Sequence, residues 1–205
     1  MTTIFIISAP SGSGKSTLVA RLLKTVPGLL FSVSYTTRKL RGKEVDGVDY
    51  HFISPERFQA MRDRGEFLES AGVFENCYGT HRDFLDRATA EGKDLVLDID
   101  VQGARQLRDK FPDAVTVFIL PPSRSELERR LRARGEDPQD VIQRRLDRAA
   151  DEIRNYPWYD YTIINRHRDE ATEVLCSIVR AERVRRTRIE DQIRPILETF
   201  LTVKR

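Results

Sequence analysis

The sequence predicts an α/β protein: a parallel sheet covered by helices on both faces, with a smaller mixed lobe inserted into it. Three observations carry this expectation. Short apolar runs alternate with helical patterns, the signature of a buried parallel sheet. One run leads through a small-residue loop directly into a helix, at SAPSGSGKSTLVARLL, residues 8–23. Residues 31–80 break the alternation with short β-like pieces, one helix and many polar residues.

Taken in order, Thr3 to Ser8 reads as a strand and Gly14 to Lys24 as a helix with Leu18, Leu22 and Leu23 at helical spacing. Within the insert, Phe31 to Thr36, Tyr50 to Ile53 and Phe67 to Val73 read as β-like, and Pro55 to Arg64 as a helix. Asp94 to Asp100 (DLVLDID), Ala114 to Leu120 (AVTVFIL) and Tyr161 to Asn165 (YTIIN) are three further core strands, making four with the first. Helices are expected at Phe84 to Glu91, Val101 to Lys110, Ser123 to Arg134 and Pro138 to Asn155, with Arg168 to Thr199 largely helical. Neither internal repeat nor interdomain linker interrupts the pattern.

The chain's 205 residues suffice for one domain with a sizeable core. Its 40% hydrophobic and 33% charged content fits a globular protein. A net charge of +3 is too mild for a general nucleic-acid binder, so anions must be recognised by placed residues. The apolar runs are strand-sized, shorter than the ~18 residues of a membrane span, and MTTIFIIS lacks a basic leader. Cys77 and Cys176 show no metal-ligand spacing. The expectation is a cytoplasmic protein with free thiols, with no nucleic-acid or membrane partner.

Residues 9–16, APSGSGKS, fit the phosphate-loop pattern except that Ala9 replaces its first glycine. Gly12 and Gly14 let the backbone curl so that N–H groups face a phosphate, and the helix N-terminus adds its positive end. Ser11, Gly12, Ser13, Gly14, Lys15, Ser16 and Thr17 form the expected nucleoside triphosphate site, the ATP site if the chain is a kinase. Lys15 is expected on the β- and γ-phosphates and Ser16 on Mg²⁺. The competing reading is a Gly/Ser-rich turn; strand, loop and helix together favour the phosphate site.

In the insert, Arg38 and Arg41 lie three apart with few carboxylates close by. Guanidinium forks suit phosphate oxygens, although two arginines alone would suit a solvated face as well. With SVSYTTR, Glu44, DGVDYHF, EFLESA, YGT, LDIDVQG and RLRARGED following in order, nearly the whole chain resembles the guanylate kinase family.

That resemblance implies a phosphate-loop nucleoside monophosphate kinase fold with a helical lid. Residues 1–30, 81–133 and 155–205 would form the core, 31–80 the GMP-binding lobe and 134–154 the lid region. It implies Mg²⁺-dependent transfer from ATP to GMP or dGMP by a monomer or homodimer. Arg38, Arg41, Tyr50 and Tyr78 would hold the GMP phosphate, with Glu44 beside them. Ser34, Glu69, Thr80 and Asp100 would meet the guanine. A carboxylate suits guanine, whose N1–H and N2–H₂ donors share one edge. Lys15, Arg38, Arg134 and Arg145 would be catalytic, the last two on a mobile lid. Arg130 is left open between function and surface.

Asp98 and Asp100 close a strand at the end where α/β proteins bind ligands. Asp98 is assigned to Mg²⁺ through water and Asp100 to the GMP side, the two facing apart. The alternative is that they cap the following helix. The nine arginines and eight carboxylates of 124–154 are expected mostly as helix-surface pairs. His51, His81 and His167 have no shared spacing and are read as structural or exposed. Arg180 to Arg194 is read as a solvated basic helix face.

The chain departs from the family at Ala9, at Tyr35, at Cys77, and at Leu40-Arg41-Gly42-Lys43-Glu44, where Pro-Arg-Pro-Gly-Glu is common. Two other functions compete. A kinase for a phosphorylated sugar such as ribose bisphosphate would not need Ser34, Glu69, Thr80 and Asp100. A non-catalytic guanylate-kinase-like scaffold module would not need Gly14-Lys15-Ser16.

Overall fold

A computed structural model describes residues 2–73, 75–133 and 138–201. Among them the strands form a five-stranded sheet and a four-stranded one. The larger is parallel throughout, in the order β2 (Leu29–Ser32), β7 (Asp94–Asp98), β1 (Ile4–Ser8), β8 (Val115–Leu120), β9 (Tyr161–Ile164).

Strand β1 shows why its sequence is apolar throughout. Phe5 and Ile7 point to one face, against Leu18 and Leu22 of α1 (Lys15–Thr25) and Leu175 and Val179 of α7 (Arg168–Arg183). Ile4 and Ile6 point to the other, against Ala88 of α3 (Asp83–Ala90) and Ala104 and Leu107 of α4 (Val101–Lys110). A strand buried on both faces loses the polar alternation of a half-exposed one. A separate small core joins α5 (Arg124–Ala133) to α6 (Gln139–Ile153) through Leu127, Leu131, Ile142 and Leu146. Among the described residues no helix is long and apolar enough to cross a membrane.

The smaller sheet has the order β4 (His51–Phe52), β3 (Tyr35–Thr36), β6 (Asn76–His81), β5 (Phe67–Val73), with α2 (Pro55–Asp63) beside it. Its strands β5 and β6 form an antiparallel pair. Gly79 lets them close on α2: a Cβ there would lie 3.0 Å from Phe67 and 3.2 Å from Phe58.

Three expectations change. Leu29–Ser32 is an edge strand of the large sheet, which therefore has five strands and not four. Phe31 to Thr36 is not one β-piece: Ser32 pairs with Leu97, whereas Tyr35 pairs with Gly79. A boundary between residues 30 and 31 thus cuts a strand that belongs to the core. Asn76–His81, not anticipated as a strand, lies between β3 and β5.

The basic stretch also differs from expectation. The carboxylate of Asp94 accepts from Arg183 Nε at 2.7 Å. Arg188, in α8 (Arg186–Leu201), donates to Thr3 Oγ1 at 3.1 Å and to the Asp113 carbonyl at 2.9 Å. Glu182 is buried with Tyr161 donating to it at 2.5 Å. These arginines tie the helices to the base of the sheet and are not simply a solvated face.

Candidate active site

Strand β1 ends at Ser8 and its neighbour β7 at Asp98, so the phosphate loop and the acidic strand end share one rim of the sheet. Gly12 (φ +90°) and Gly14 (φ +93°) adopt the left-handed region. Both positions are also crowded. A Cβ on Gly12 would lie 2.9 Å from Leu131, and one on Gly14 would lie 2.6 Å from Asn165 Nδ2. Gly14 caps α1 without a side-chain bond, and the first N–H groups of a helix have no carbonyl of that helix to meet. Such a terminus is suited to an anion.

The loop is braced from behind by two residues whose roles the motif did not reveal. Asn165 Nδ2 donates to the Ser13 carbonyl at 2.8 Å. Arg130 donates to the same carbonyl at 3.3 Å and to the Asn165 carbonyl at 2.9 Å, while Glu126 holds its Nε at 2.8 Å. Arg130 is thereby a brace of the loop and not a surface residue. Ala9 is half-buried and packs on the core under α1 and α7, so the absent glycine leaves the loop's curl intact.

Asp98 brings the candidate metal and phosphate residues together. Its carboxylate forms an ion pair with Lys15 and accepts from Ser16 Oγ at 3.4 Å. Lys15 also donates to the Ile99 carbonyl at 3.1 Å. Ser11 and Thr17 are exposed and Ser13 is buried.

The strand ends at Asp98, short of the expected Asp100. On a continued strand these two residues would share a face, because side chains alternate with a period of two. They face apart because the chain turns there: Asp100 is the N-cap of α4, its Oδ1 accepting from the Gly103 N–H at 2.9 Å. The capping alternative is thus what Asp100 does here. Its Oδ2 lies 3.8 Å from Arg148 of α6, a neighbour that the sequence did not suggest. Arg148 also donates to Glu152 at 2.8 Å.

On the insert, Glu69 and Thr80 face each other across the β5–β6 pair, and the Thr80 hydroxyl donates to Glu69 Oε1 at 2.7 Å. Both are buried, as is Ser34, whose carbonyl accepts from the His51 N–H at 2.9 Å. Burial pushes the Glu69 carboxyl up to about 7; the Thr80 hydroxyl opposes this and the Asp100 charge adds to it.

Strand β5 is fixed to α4 by Gln106, which donates to the Ser70 carbonyl at 2.9 Å and accepts its N–H at 3.3 Å. Lys110 holds the Leu68 carbonyl at 2.6 Å. These bonds set Glu69 over Gly103, where a Cβ would lie 2.4 Å from Oε2 and 2.8 Å from Cδ. A Gly103→Ala substitution must therefore displace the carboxylate or the helix. For the GMP and ATP sites that the sequence resemblance implies, it should raise the GMP KM at least about tenfold, equivalent to about 1.4 kcal/mol, with the ATP KM changed less than about twofold; initial-rate kinetics check both.

Arg38 is buried beneath the rings of Tyr50 and Phe52, at 5.3 and 5.5 Å from their centroids. Its fork donates to Glu44 at 2.7 Å and to the Lys39 carbonyl at 2.8 Å. The other Glu44 oxygen accepts from the Arg41 N–H at 2.9 Å. Burial alone would raise the Glu44 carboxyl, but the bonds from Arg38 and Arg41 outweigh it and hold it below the ordinary value. Gly42 takes a left-handed turn (φ +53°) in this loop, so the departure from Pro-Arg-Pro-Gly is closed by Glu44. The Arg41 side chain is exposed. Tyr50 and Tyr78 meet edge-on at 5.8 Å, and burial, aided by the Asp98 charge, raises the Tyr50 hydroxyl above its ordinary range.

Tyr35 stacks on His51 at 4.5 Å, and His81 lies 3.5 Å from Glu66, so these two histidines have structural neighbours. Cys77 is half-buried and Cys176 buried, both free. Arg145 is half-buried on α6. Arg134 lies outside the described residues.

The family model described as Guanylate kinase matches residues 1–182. The chain belongs to the guanylate kinase family. A guanylate kinase of Koribacter versatilis is 56% identical over 201 residues, covering 96% of this chain and 86% of its own. One from Aliivibrio fischeri is 49% identical, with 97% of each chain covered. The crystal structure of guanylate kinase from Anaplasma phagocytophilum superposes with a TM-score of 0.78 at 36% identity, covering 91% of this chain and 89% of that one. Membership of the guanylate kinase family accords with the parallel sheet, the phosphate loop and the inserted mixed sheet described above.

Proposed function

We propose that the chain catalyses reversible transfer of the γ-phosphoryl group of ATP to GMP or dGMP, giving ADP and GDP, in purine nucleotide metabolism and GMP recycling. The observation that supports this best is a buried carboxylate, Glu69, held by the Thr80 hydroxyl on the inserted sheet and set over Gly103 in the helix that follows Asp98 and Asp100. An ATP-driven switch or a sugar-phosphate kinase has no use for it.

The assigned roles follow from chemistry. Glu69, ionised, accepts from guanine N1–H and N2–H₂, with Ser34, Thr80 and Asp100 around the base. Arg38, Arg41, Tyr50 and Tyr78 hold the GMP phosphate, and Glu44 keeps the arginine loop in place. Lys15 exchanges its Asp98 partner for the transferred phosphoryl group, where charge must be neutralised as the bond to the leaving oxygen lengthens. Arg134 and Arg145 close over the triphosphate from residues 134–154 and exclude water, which would compete as acceptor.

Ser16 and Asp98 present a hydroxyl and a carboxylate 3.4 Å apart. Those are the hard oxygen ligands that suit Mg²⁺, an ion usually held by one or two carboxylates, water and substrate phosphates. When bound it would neutralise phosphate charge. A cytoplasmic location rests on the free cysteines.

An assay of ADP release with GMP, dGMP, AMP and ribose bisphosphate tests the assignment. Turnover is expected with the first two alone. Ribose bisphosphate turning over as fast as GMP would overturn the reading of Glu69 as a base reader, and no ADP release with any acceptor would overturn the enzyme itself.

A further inference from the structure

Helix α6 carries several arginines, and Arg148 differs from its neighbours in where it sits. Arg144 pairs with Asp140 at the surface, their side chains 69% and 72% exposed, and such pairs contribute little. Arg148 pairs with Glu152 at the same four-residue spacing, but these side chains are 26% and 17% exposed. Arg148 also reaches another element: its guanidinium lies 3.8 Å from Asp100 Oδ2, where α4 begins. A partly buried pair of this kind is screened less than a surface one.

Asp100 and Glu69 meet at one residue. Gly103 donates its N–H to Asp100 Oδ1 at 2.9 Å, and its missing side chain leaves the space that Glu69 Oε2 occupies. Gln102 ties the same turn to β5, donating to the Gly72 carbonyl at 3.0 Å and lying 3.5 Å from Asp100 Oδ2. Neighbouring carboxylates oppose each other's ionisation. Burial raises the Glu69 carboxyl, and the Asp100 charge adds to it. Positive charge stands on both sides of the pair, from Lys110 towards Glu69 and from Arg148 towards Asp100.

A bidentate Glu69 takes guanine N1–H and one hydrogen of the 2-amino group. The second amino hydrogen is left over. O6, N3 and N7 are all acceptors, which a carboxylate repels, so this hydrogen is what Asp100 can meet. We propose, on the reading of Glu69 given above, that Arg148 is a positioning residue for base selection: it holds Asp100 Oδ2 where that oxygen accepts the second 2-amino hydrogen. Glu152 fixes the guanidinium from its own helix and Gly103 fixes Oδ1, so the carboxylate is held from both ends. Arg148 lies three residues beyond Arg145 on the same helix.

Inosine monophosphate keeps N1–H and lacks the 2-amino group, so it separates the two contacts. Calorimetric titration with GMP and with inosine monophosphate tests the proposal, with melting temperature and the ATP KM as checks on folding. Arg148→Met should weaken GMP roughly tenfold, the scale of one hydrogen bond to a charged group. Inosine monophosphate affinity and kcat at saturating GMP should stay within about twofold. Arg148→Lys keeps the charge and should lie within about threefold of wild type for GMP. In an Asp100→Asn background, Arg148→Met should cost less than about a further twofold, since coupled residues are not additive. Equal losses for the two nucleotides, as a general loosening of α6 would give, overturn the proposal. So does a GMP loss under twofold, and so does a full tenfold loss in the Asp100→Asn background. A wild-type chain that binds GMP no better than AMP would instead overturn the reading of Glu69, and the role of Arg148 with it.

Discussion

Lys15→Ala is expected to lower turnover by roughly a thousandfold or more, the scale of losing a charged donor aimed at the transferring group. GMP affinity should stay within about twofold. The separation follows from where the groups stand. Lys15 begins α1 and bonds to Asp98 and the Ile99 carbonyl. Glu69, Thr80 and Arg38 are placed by the inserted sheet and its loop, through bonds that exclude Lys15. Stopped-assay turnover and GMP titration calorimetry on the same preparation measure the two quantities. Loss of GMP affinity as complete as loss of ATP affinity would refute two separate sites.

Glu69→Gln should raise the GMP KM by roughly 5- to 150-fold, taking about 1–3 kcal/mol for a bidentate base contact by analogy with protein–DNA readout. Glutamine keeps the shape but turns an NH₂ donor towards a donor edge. Adenine offers a lone pair at N1 and no 2-amino group, so the wild-type carboxylate repels it. The GMP/AMP ratio of kcat/KM should therefore narrow at least about tenfold, with the ATP KM little changed. A ratio within about twofold of wild type would move base selection to Ser34, Thr80 and Asp100.

Protonation adds an independent signature. The Glu69 carboxyl is raised by burial to about 7, whereas an exposed glutamate titrates near 4.3. Between these values the folded chain holds a proton that the unfolded chain has lost, so free-protein stability falls as pH rises through that window. GMP binding runs the other way. Two guanine donors require the carboxylate, so binding releases a proton below about pH 7, and GMP affinity should rise with pH up to about 7 and then level. A phosphate monoester also titrates near 6, so the GMP KM between pH 5.5 and 8 must be compared with that of Glu69→Gln. The variant keeps the phosphate's contribution and should lose the remainder. Identical profiles would exclude titration of Glu69.

How much of this was legible in the sequence varied with how local the cause was. The phosphate loop was readable because its glycines, lysine and helix act over eight residues. The sequence places Phe31 with the insert because LLFSVSYTT is β-prone throughout; only the partners Val96 and Gly79, far along the chain, reveal two sheets. Asn76–His81 lacks an apolar run and is a strand because β3 and β5 flank it. The sequence leaves Arg130 open between function and surface because its hold on Ser13 spans 117 positions. Gly103 carried no signal beyond its motif, since what forbids a side chain there is a carboxylate on another element.

The pairing of the large sheet also sets an order of assembly during synthesis. Strand β1 has as neighbours only β7 and β8, with Ile4 opposite Leu95 and Phe5 opposite Val115. A chain emerging from the ribosome cannot complete β1 until about residue 120 is free, and parallel pairing across such distances closes slowly. The β5–β6 pair turns within a few residues, joining Val73 to Asn76, and needs no distant strand. The Glu69–Thr80 pair, proposed above to read guanine, is thus expected to assemble while the phosphate loop is still unsupported. Pulse-labelled hydrogen exchange should protect β6 amides before those of β1.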